Sequence, residues 1–160
     1  MGQTAQHIAF GPVPSRRLGQ SLGINNIPPK TCSYSCVYCQ LGRTLKMQIT
    51  REVFYDPDEI FREVEQKVEQ SREKGEAIDY LTYVADGEPT LDLQLDREIK
   101  LLRDLGCQIA VITNASLLWM LDVREALRLA DWVSVKIDAL TPEIWHRIDR
   151  PYGALQLDTI

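Results

Sequence analysis

Short apolar runs alternate along the chain with longer segments in which apolar residues recur every three or four positions. Runs of about four to eight apolar residues bounded by turn residues are typical of buried strands. By this criterion the sequence predicts strands at 21–27, 80–85, 108–113 and 132–137. Pro28 and Pro29 end the first of them, and Gly106 precedes the third.

Each of the last three predicted strands is preceded or followed by a segment with helical periodicity. Asp56, Pro57 and Glu59 form a helix start, with Asp as N-cap, Pro at the first position and Glu at the third. Apolar residues then fall on one face up to Gly75, which is the predicted stop. Further helices are predicted around 95–105, after a capping box at 122–125, and from 141 to 150.

Strands that alternate with helices predict βαβ units and an α/β fold with a parallel sheet. The chain has 160 residues, 44% of them apolar, which is enough for one domain with its own core. In such folds the functional side chains lie at the carboxyl ends of the strands. Most of the candidate residues described below follow a predicted strand, as this rule requires.

The most specific motif is a group of three cysteines in the loop after the first predicted strand. Cys32, Cys36 and Cys39 have the spacing Cys-x3-Cys-x2-Cys, and Tyr38 stands directly before the last cysteine. Three thiolates this close can bind one face of a metal centre. A [4Fe–4S] cluster normally takes four cysteines, one for each iron. Three cysteines would leave one iron with an open position, which is typical of a catalytic centre.

Two other uses of these cysteines remain open at this stage. A closed zinc site would need a fourth ligand, and the candidates His7, Cys107 and His146 do not belong to a second paired motif. A disulfide would need an oxidising compartment. Cys107 opens an apolar strand, so we predict that it is a buried small hydrophobe rather than a ligand.

Charge is distributed unevenly along the chain. The net charge is −5, yet residues 1–51 carry six Lys or Arg and no Asp or Glu. Such a stretch can offset the charge of a thiolate-bound cluster or attract an anionic substrate such as RNA, and a solvated basic face without a partner fits equally well. No apolar run reaches about 20 residues, and residues 1–20 contain no apolar signal-peptide region. We therefore predict a cytoplasmic protein with no membrane partner.

Together with the cysteine motif, three segments carry a resemblance to a known family: 10–19, 39–43 and 87–91, the last being Gly-Glu-Pro-Thr-Leu. The chain resembles the radical S-adenosylmethionine (SAM) superfamily, and within it the iron–sulfur oxidoreductases related to tRNA wyosine-base synthases. The resemblance implies a partial parallel (β/α) barrel with six βα units, of which about four are visible here. We interpret 1–160 as a radical SAM core domain that is incomplete at its C-terminus.

The same resemblance implies the cofactors and the chemistry. The three cysteines would bind one [4Fe–4S] cluster, and the cluster would cleave SAM reductively to methionine and a 5′-deoxyadenosyl radical. A reducing electron donor such as ferredoxin or flavodoxin would be required. The substrate is unassigned, with tRNA or another nucleic acid as a candidate. The alternative is a non-catalytic iron–sulfur or zinc-binding protein.

Family resemblance also suggests roles for individual residues around the cluster. Tyr38 would lie beside the adenine of SAM, although an ordinary packed aromatic is an equal alternative. Gly87 would allow close approach of the backbone. Glu88 would accept a hydrogen bond from the SAM amino group, or else serve only as a turn residue. Asp86 stands where the family usually has a glycine.

Further SAM contacts, to the ribose or the carboxylate, are implied for Asn114 and Ser134. For Lys136 an ion pair with Asp138 is as good an interpretation. No catalytic residue is assigned. Wyosine-base synthases carry additional cysteines upstream for a second cluster, but no cysteine precedes Cys32 here. We therefore do not assign the two-cluster, pyruvate-condensing activity to this chain.

Overall fold

The computed structural model describes residues 7–160, which form one main five-stranded sheet packed against helices. In chain order its elements are β1 (Ala9–Ser15), β2 (Gly19–Ile24), β3 (Thr31–Cys32), β4 (Lys46–Met47), α1 (Pro57–Glu73), β5 (Tyr80–Tyr83), α2 (Leu95–Leu102), β6 (Gln108–Thr113), α3 (Leu121–Leu127), β7 (Trp132–Val135) and α4 (Pro142–Ile148). Short 3₁₀ turns lie at Pro89–Leu91, Arg103–Leu105 and Leu157–Thr159.

The main sheet has the strand order β1-β2-β5-β6-β7, and strands β3 and β4 pair separately beside it. Strands β2, β5, β6 and β7 are parallel and neighbour one another in the order of the sequence. Only β1 runs antiparallel, as the hairpin partner of β2. The predicted α/β class with a parallel sheet is confirmed, and four βα units are present in the described chain.

Helices α1, α2 and α3 share one hydrophobic core with the sheet. The α1 helix begins at Asp56, whose side chain accepts from the Asp58 N–H, and Pro57 occupies its first turn as predicted. Its buried residues Ile60, Val64 and Val68 recur at helical spacing and face the sheet. This core holds β2, β5 and β6 in place, so that their carboxyl ends meet at one edge.

Helix α4 packs against the cysteine loop. Its Trp145 is buried and lies edge-on to Tyr34 of the cysteine loop, with ring centroids 5.9 Å apart, and its indole N–H donates to the Tyr34 hydroxyl at 3.2 Å. These two residues form a second, smaller core with Ala139 and Leu155. At the end of β7, the side chain of Val135 remains 44% exposed.

Several element boundaries differ from the sequence predictions. Strand β1 was not predicted, because Pro12 and Pro14 interrupt its pattern; an edge strand tolerates proline since its outer N–H groups need no partner. Strand β2 ends at Ile24 rather than residue 27. The predicted cap at Asp122 is wrong: Met120 precedes α3 without a side-chain cap, and Asp122 pairs with Arg51 instead. None of the helices within residues 7–160 is long and apolar enough to cross a membrane.

Candidate functional site

The three motif cysteines lie at the carboxyl edge of the parallel sheet, around one cavity of about 450 Å³. Its volume is within the range of about 300–1,000 Å³ that is usual for small-molecule pockets. The cavity is lined by the loop after β2, the loop after β5 and the ends of β6 and β7. Its lining includes Cys32, Cys36, Cys39, Tyr38, Gly87, Ile112 and Lys136. All three cysteines are partly buried free thiols.

Hydrogen bonds join the loop after β5 to strand β3, which contains Cys32, and to the residue before it. The Lys30 N–H donates to the Asp86 carbonyl at 2.7 Å, and the Glu88 N–H donates to the Thr31 carbonyl at 3.2 Å. Gly87 lies between these bonds, and a Cβ atom there would be 1.8 Å from the Thr31 carbonyl oxygen. Gly87 therefore lets this loop approach the Thr31 carbonyl closely, and its contact with SAM stays a prediction. Asp86 does not have a positive φ, so this position does not need the glycine that the family usually has.

Cys32 lies deepest in the cavity. The side-chain amide of Asn114 donates to its sulfur at 3.5 Å and to the Ser33 hydroxyl at 2.9 Å, and the Tyr34 N–H also approaches the Cys32 sulfur. Burial, followed by the charge of Glu88, raises the pKa of the Cys32 thiol to about 12. The thiol therefore stays protonated until a cation offsets its charge, as a metal would do.

Cys36 has a cationic neighbour. The Lys136 ammonium donates to the Cys36 sulfur at 3.3 Å, to Asp149 at 2.8 Å and to Asp138 at 2.6 Å. Burial raises the pKa of the Cys36 thiol, and the charge of Lys136 opposes that shift. For Lys136 itself burial acts to lower the pKa, but its hydrogen bonds to the carboxylates outweigh burial and raise it. The ammonium is thus charged and held beside the cysteine loop.

Tyr38 completes this group. Its ring centroid is 5.0 Å from the Lys136 ammonium, and its hydroxyl contacts Lys136 and Asp138. The predicted ion pair between Lys136 and Asp138 is present. Asp149, which sequence analysis missed, is 2% exposed and also contacts the Cys36 thiol at 3.4 Å. Its only signal in the sequence is its position just before the predicted end of the last helix.

Glu88 is buried behind the cavity rather than open to it, with 1% of its surface exposed. One carboxylate oxygen accepts from the Thr90 N–H at 3.1 Å, the Thr90 hydroxyl at 2.6 Å and the Thr113 hydroxyl at 2.7 Å. The other accepts from the Asn114 N–H at 2.7 Å. Burial raises the pKa of Glu88, and these four donors oppose the shift by stabilising the carboxylate. Its contact with SAM stays a prediction.

The remaining candidates lie in different places. Ser134 is on β7 beside Ile112 of β6, on the sheet face that carries Lys136, but outside the cysteine cavity. Cys107 precedes β6 at the opposite, amino-terminal edge of the sheet, where its sulfur lies 4.0 Å from the Leu105 carbonyl. His146 is an exposed residue of α4 beside Trp145, and His7 is exposed ahead of β1. None of these three proposed zinc ligands lines the cysteine cavity.

The donor set fits a multinuclear cluster. In the part of the chain from residue 7 onward, no group of three or more His, Cys, Asp or Glu side chains could hold a metal ion. A [4Fe–4S] cluster does not need its ligands to converge on one ion, because each cysteine binds a different iron. Three thiols around one cavity, with Lys136 to offset their charge, match this requirement.

Comparison with known proteins agrees with this geometry. The family model of the Radical SAM superfamily matches residues 26–157. The UPF0026 protein MJ1312 of Methanocaldococcus jannaschii is 56% identical over 153 residues, which are 96% of this chain and 47% of that protein. The UPF0026 protein slr1464 of Synechocystis sp. is 40% identical over 153 residues, 94% of this chain and 56% of that protein. The chain spans about half the length of these curated relatives.

Two solved structures share the fold. One is TYW1 with a lysine-pyruvate adduct bound, with a TM-score of 0.59 and 16% identity over 83% of this chain and 47% of that one. The other is archaeal TYW1, with a TM-score of 0.52 and 16% identity over 78% of this chain and 44% of that one. The sheet, the cysteine loop and the family match lead to one conclusion. The chain belongs to the radical SAM superfamily.

Proposed function

We propose that this chain is the cofactor-binding part of an enzyme that holds a [4Fe–4S] cluster on Cys32, Cys36 and Cys39. The observation that carries the proposal is the arrangement of three thiols around one cavity at the carboxyl edge of the sheet. No fourth cysteine lies near them, since Cys107 is at the other edge. When bound, such a cluster supplies the electron that cleaves SAM to methionine and a 5′-deoxyadenosyl radical.

The residues around the cavity support both binding and charge balance. The Lys136 ammonium beside Cys36 offsets the negative charge that thiolate ligation brings into a partly buried site. Asn114 donates to Cys32 and keeps that side chain oriented towards the cavity. We propose that SAM lies against Tyr38 and Gly87, within reach of the segments that carry Glu88, Asn114 and Ser134.

Substrate and partners belong to the proposal as well. We propose an anionic substrate, with RNA as the candidate, and a small reducing protein such as ferredoxin or flavodoxin as electron donor. A second candidate function, a cluster-binding protein without catalysis, has one observation in its favour. Both carboxylate oxygens of Glu88 already accept hydrogen bonds from donors within the protein, namely Thr90, Thr113 and Asn114.

The test is anaerobic reconstitution with iron and sulfide, followed by reduction and measurement of 5′-deoxyadenosine formed from SAM. We expect about four iron and about four sulfide per chain, and deoxyadenosine that depends on the reductant. A stable cluster without SAM cleavage would favour the non-catalytic candidate. Zinc bound in place of iron, without sulfide, would contradict both.

A further inference from the structure

A second cavity, of about 690 Å³, lies on the other side of the cysteine loop. It is lined by Ser35, Arg43, Thr44, Leu45, Met47, Arg150 and Pro151. Thr44 lines both this cavity and the one that contains the cysteines. The two cavities are therefore neighbours, so a single bound molecule could occupy both of them.

The charged side chains that line this second cavity are both cationic. Within residues 7–160, neither Arg43 nor Arg150 makes a side-chain hydrogen bond or an ion pair, and no Asp or Glu lines the cavity. Of the other cations nearby, Lys46 pairs with Glu52 and Arg51 pairs with Asp122. Two exposed guanidinium groups therefore face one cavity without a protein anion to neutralise them.

Both arginines are fixed to the cysteine loop through their backbone neighbours. The Ser35 N–H is shared between the Asp149 carbonyl at 3.0 Å and the Arg150 carbonyl at 3.2 Å. Arg150 has a φ of 46°, a left-handed conformation that costs a non-glycine residue about 1 kcal/mol or more. Next to Arg43, Thr44 donates through its N–H to the Ser35 hydroxyl and through its own hydroxyl to the Tyr34 carbonyl.

We propose that Arg43 and Arg150 form a subsite for a phosphate group of the substrate, next to the cysteine cavity. Planar guanidinium groups pair with phosphate oxygens in a bidentate manner, which gives both affinity and orientation. Leu45, 79% exposed, and Met47 offer apolar surface for the sugar or base attached to that phosphate. This inference rests on the proposed function in one respect: the rest of the same substrate would reach the cysteine cavity.

The cations of the acid-free stretch, residues 1–51, do not all lie near this subsite. Arg16 and Arg17 lie in the turn between β1 and β2, at the amino end of β2, whereas the cysteine loop follows its carboxyl end. A six-residue strand separates these ends by roughly 20 Å. The two exposed arginines of the turn are therefore a matched control, with the same charge as Arg43 and Arg150 but at the opposite edge of the sheet.

The test is binding of a fluorescent single-stranded RNA oligonucleotide, with and without AMP as competitor, to the chain before cluster assembly. We expect the double variant Arg43→Gln with Arg150→Gln to bind about tenfold or more weakly. It should also lower the slope of log affinity against log salt by about 0.7 for each phosphate that the variant no longer neutralises. Arg16→Gln with Arg17→Gln should stay within about twofold of the parent at about 0.15 M salt.

Displacement by AMP would assign the subsite to a single terminal phosphate, and resistance to AMP would assign it to the phosphates of a polymer. Equal weakening in both double variants, or no RNA or AMP binding by the parent at low salt, would overturn the inference. Arg43→Lys, which keeps the charge but not the bidentate fork, should give an intermediate loss. Iron and sulfide content, measured separately, reports on the cluster, so the two proposals can fail independently.

Discussion

The thiols of Cys32 and Cys36 have different surroundings although they belong to one short motif. Cys32 is desolvated and receives weak hydrogen bonds from Asn114, whereas Cys36 lies against the Lys136 ammonium. The motif identifies them as ligands, but their surroundings come from distant residues such as Asn114 and Lys136, 82 and 100 positions further along the chain.

Replacing any one of Cys32, Cys36 and Cys39 by Ala should remove most of the iron and sulfide from the reconstituted chain, because each thiolate holds a different iron. Cys107→Ala should retain the full content, since its sulfur is at the opposite edge of the sheet. Metal and sulfide analysis with the visible spectrum measures the outcome. Equal loss in Cys107→Ala would contradict the three-ligand arrangement.

Glu88→Gln should lower the free energy of unfolding by about 1–3 kcal/mol, because an amide nitrogen replaces an oxygen that accepts from buried donors. Denaturant unfolding measures this change. Calorimetry of SAM binding by the reconstituted protein tests the proposed ligand role separately. Unchanged stability would show that the contacts of Glu88 with Thr113 and Asn114 matter little to the fold.

At the scale of elements, the loop after β5 connects strand β3, which contains Cys32, to the main sheet. Glu88 caps the 3₁₀ turn Pro89–Leu91, and Arg51 fixes the same turn by donating to the Thr90 carbonyl at 2.9 Å. The loop therefore has little freedom to move away from Thr31.

Gly87→Ala should displace this loop, because the new methyl group would overlap the Thr31 carbonyl. We expect a loss of about 1–3 kcal/mol in unfolding free energy and reduced cluster retention. Gly153→Ala is the control, since a Cβ atom there meets nothing within 4 Å and its φ is not positive. Similar stability of the two variants would mean that the backbone approach at Gly87 is not required.

A buried acidic pair lies behind the same loop. Asp92 and Glu98 are fully buried, and one oxygen of each lacks a hydrogen-bond partner within the described residues. Burial raises the pKa of Asp92 from 3.8 to about 6, and burial together with the charge of Asp92 raises that of Glu98. The folded state therefore keeps protons that the unfolded state has released.

Stability from this pair is fully present below about pH 4 and is lost as the pH rises through the folded pKa values. The parent should therefore lose more stability between about pH 5 and about pH 8 than Glu98→Gln does, by about 1 kcal/mol or more. Urea unfolding at both pH values measures this. Glu69→Gln, an exposed change on α1, should behave as the parent does. If Glu98→Gln lost as much unfolding free energy as the parent between the two pH values, the buried acidic pair would not be the cause of the loss.

At the scale of the whole molecule, β7 is an edge strand of the main sheet, and the segment that follows it exposes apolar side chains. Ile137 is 69% exposed and Leu140 is 88% exposed, beside a cavity of about 350 Å³ whose lining is mainly apolar. Pro142 of α4 lines this cavity, while Trp145 packs under the cysteine loop. An open apolar strand edge is a site of association.

We expect the 160-residue chain by itself to self-associate through this edge. Ile137→Lys with Leu140→Lys, just beyond the end of β7, should shift it towards the monomer, because charge beside an edge strand opposes association. Sedimentation velocity measures the change, with Leu121→Lys, a similarly exposed apolar position at 64%, as the control. A monomeric parent chain would contradict this expectation.

The sequence by itself determined the features that depend on local spacing. The cysteine motif, the start of α1 at Asp56, the α/β class and the position of the candidate residues after strands all follow from short-range patterns. It missed β1, because the prolines of an edge strand hide the alternation of its side chains.

Tertiary structure alone decided which distant residues meet. The order of the sheet brings Lys136 and Asp149 to Cys36, buries Glu88 behind the cavity, and places Arg43 beside Arg150 but Arg16 at the far edge. These contacts join residues up to 113 positions apart in the chain. They could not be predicted from the sequence because they depend on strand order and on the packing of α4, which no local pattern encodes.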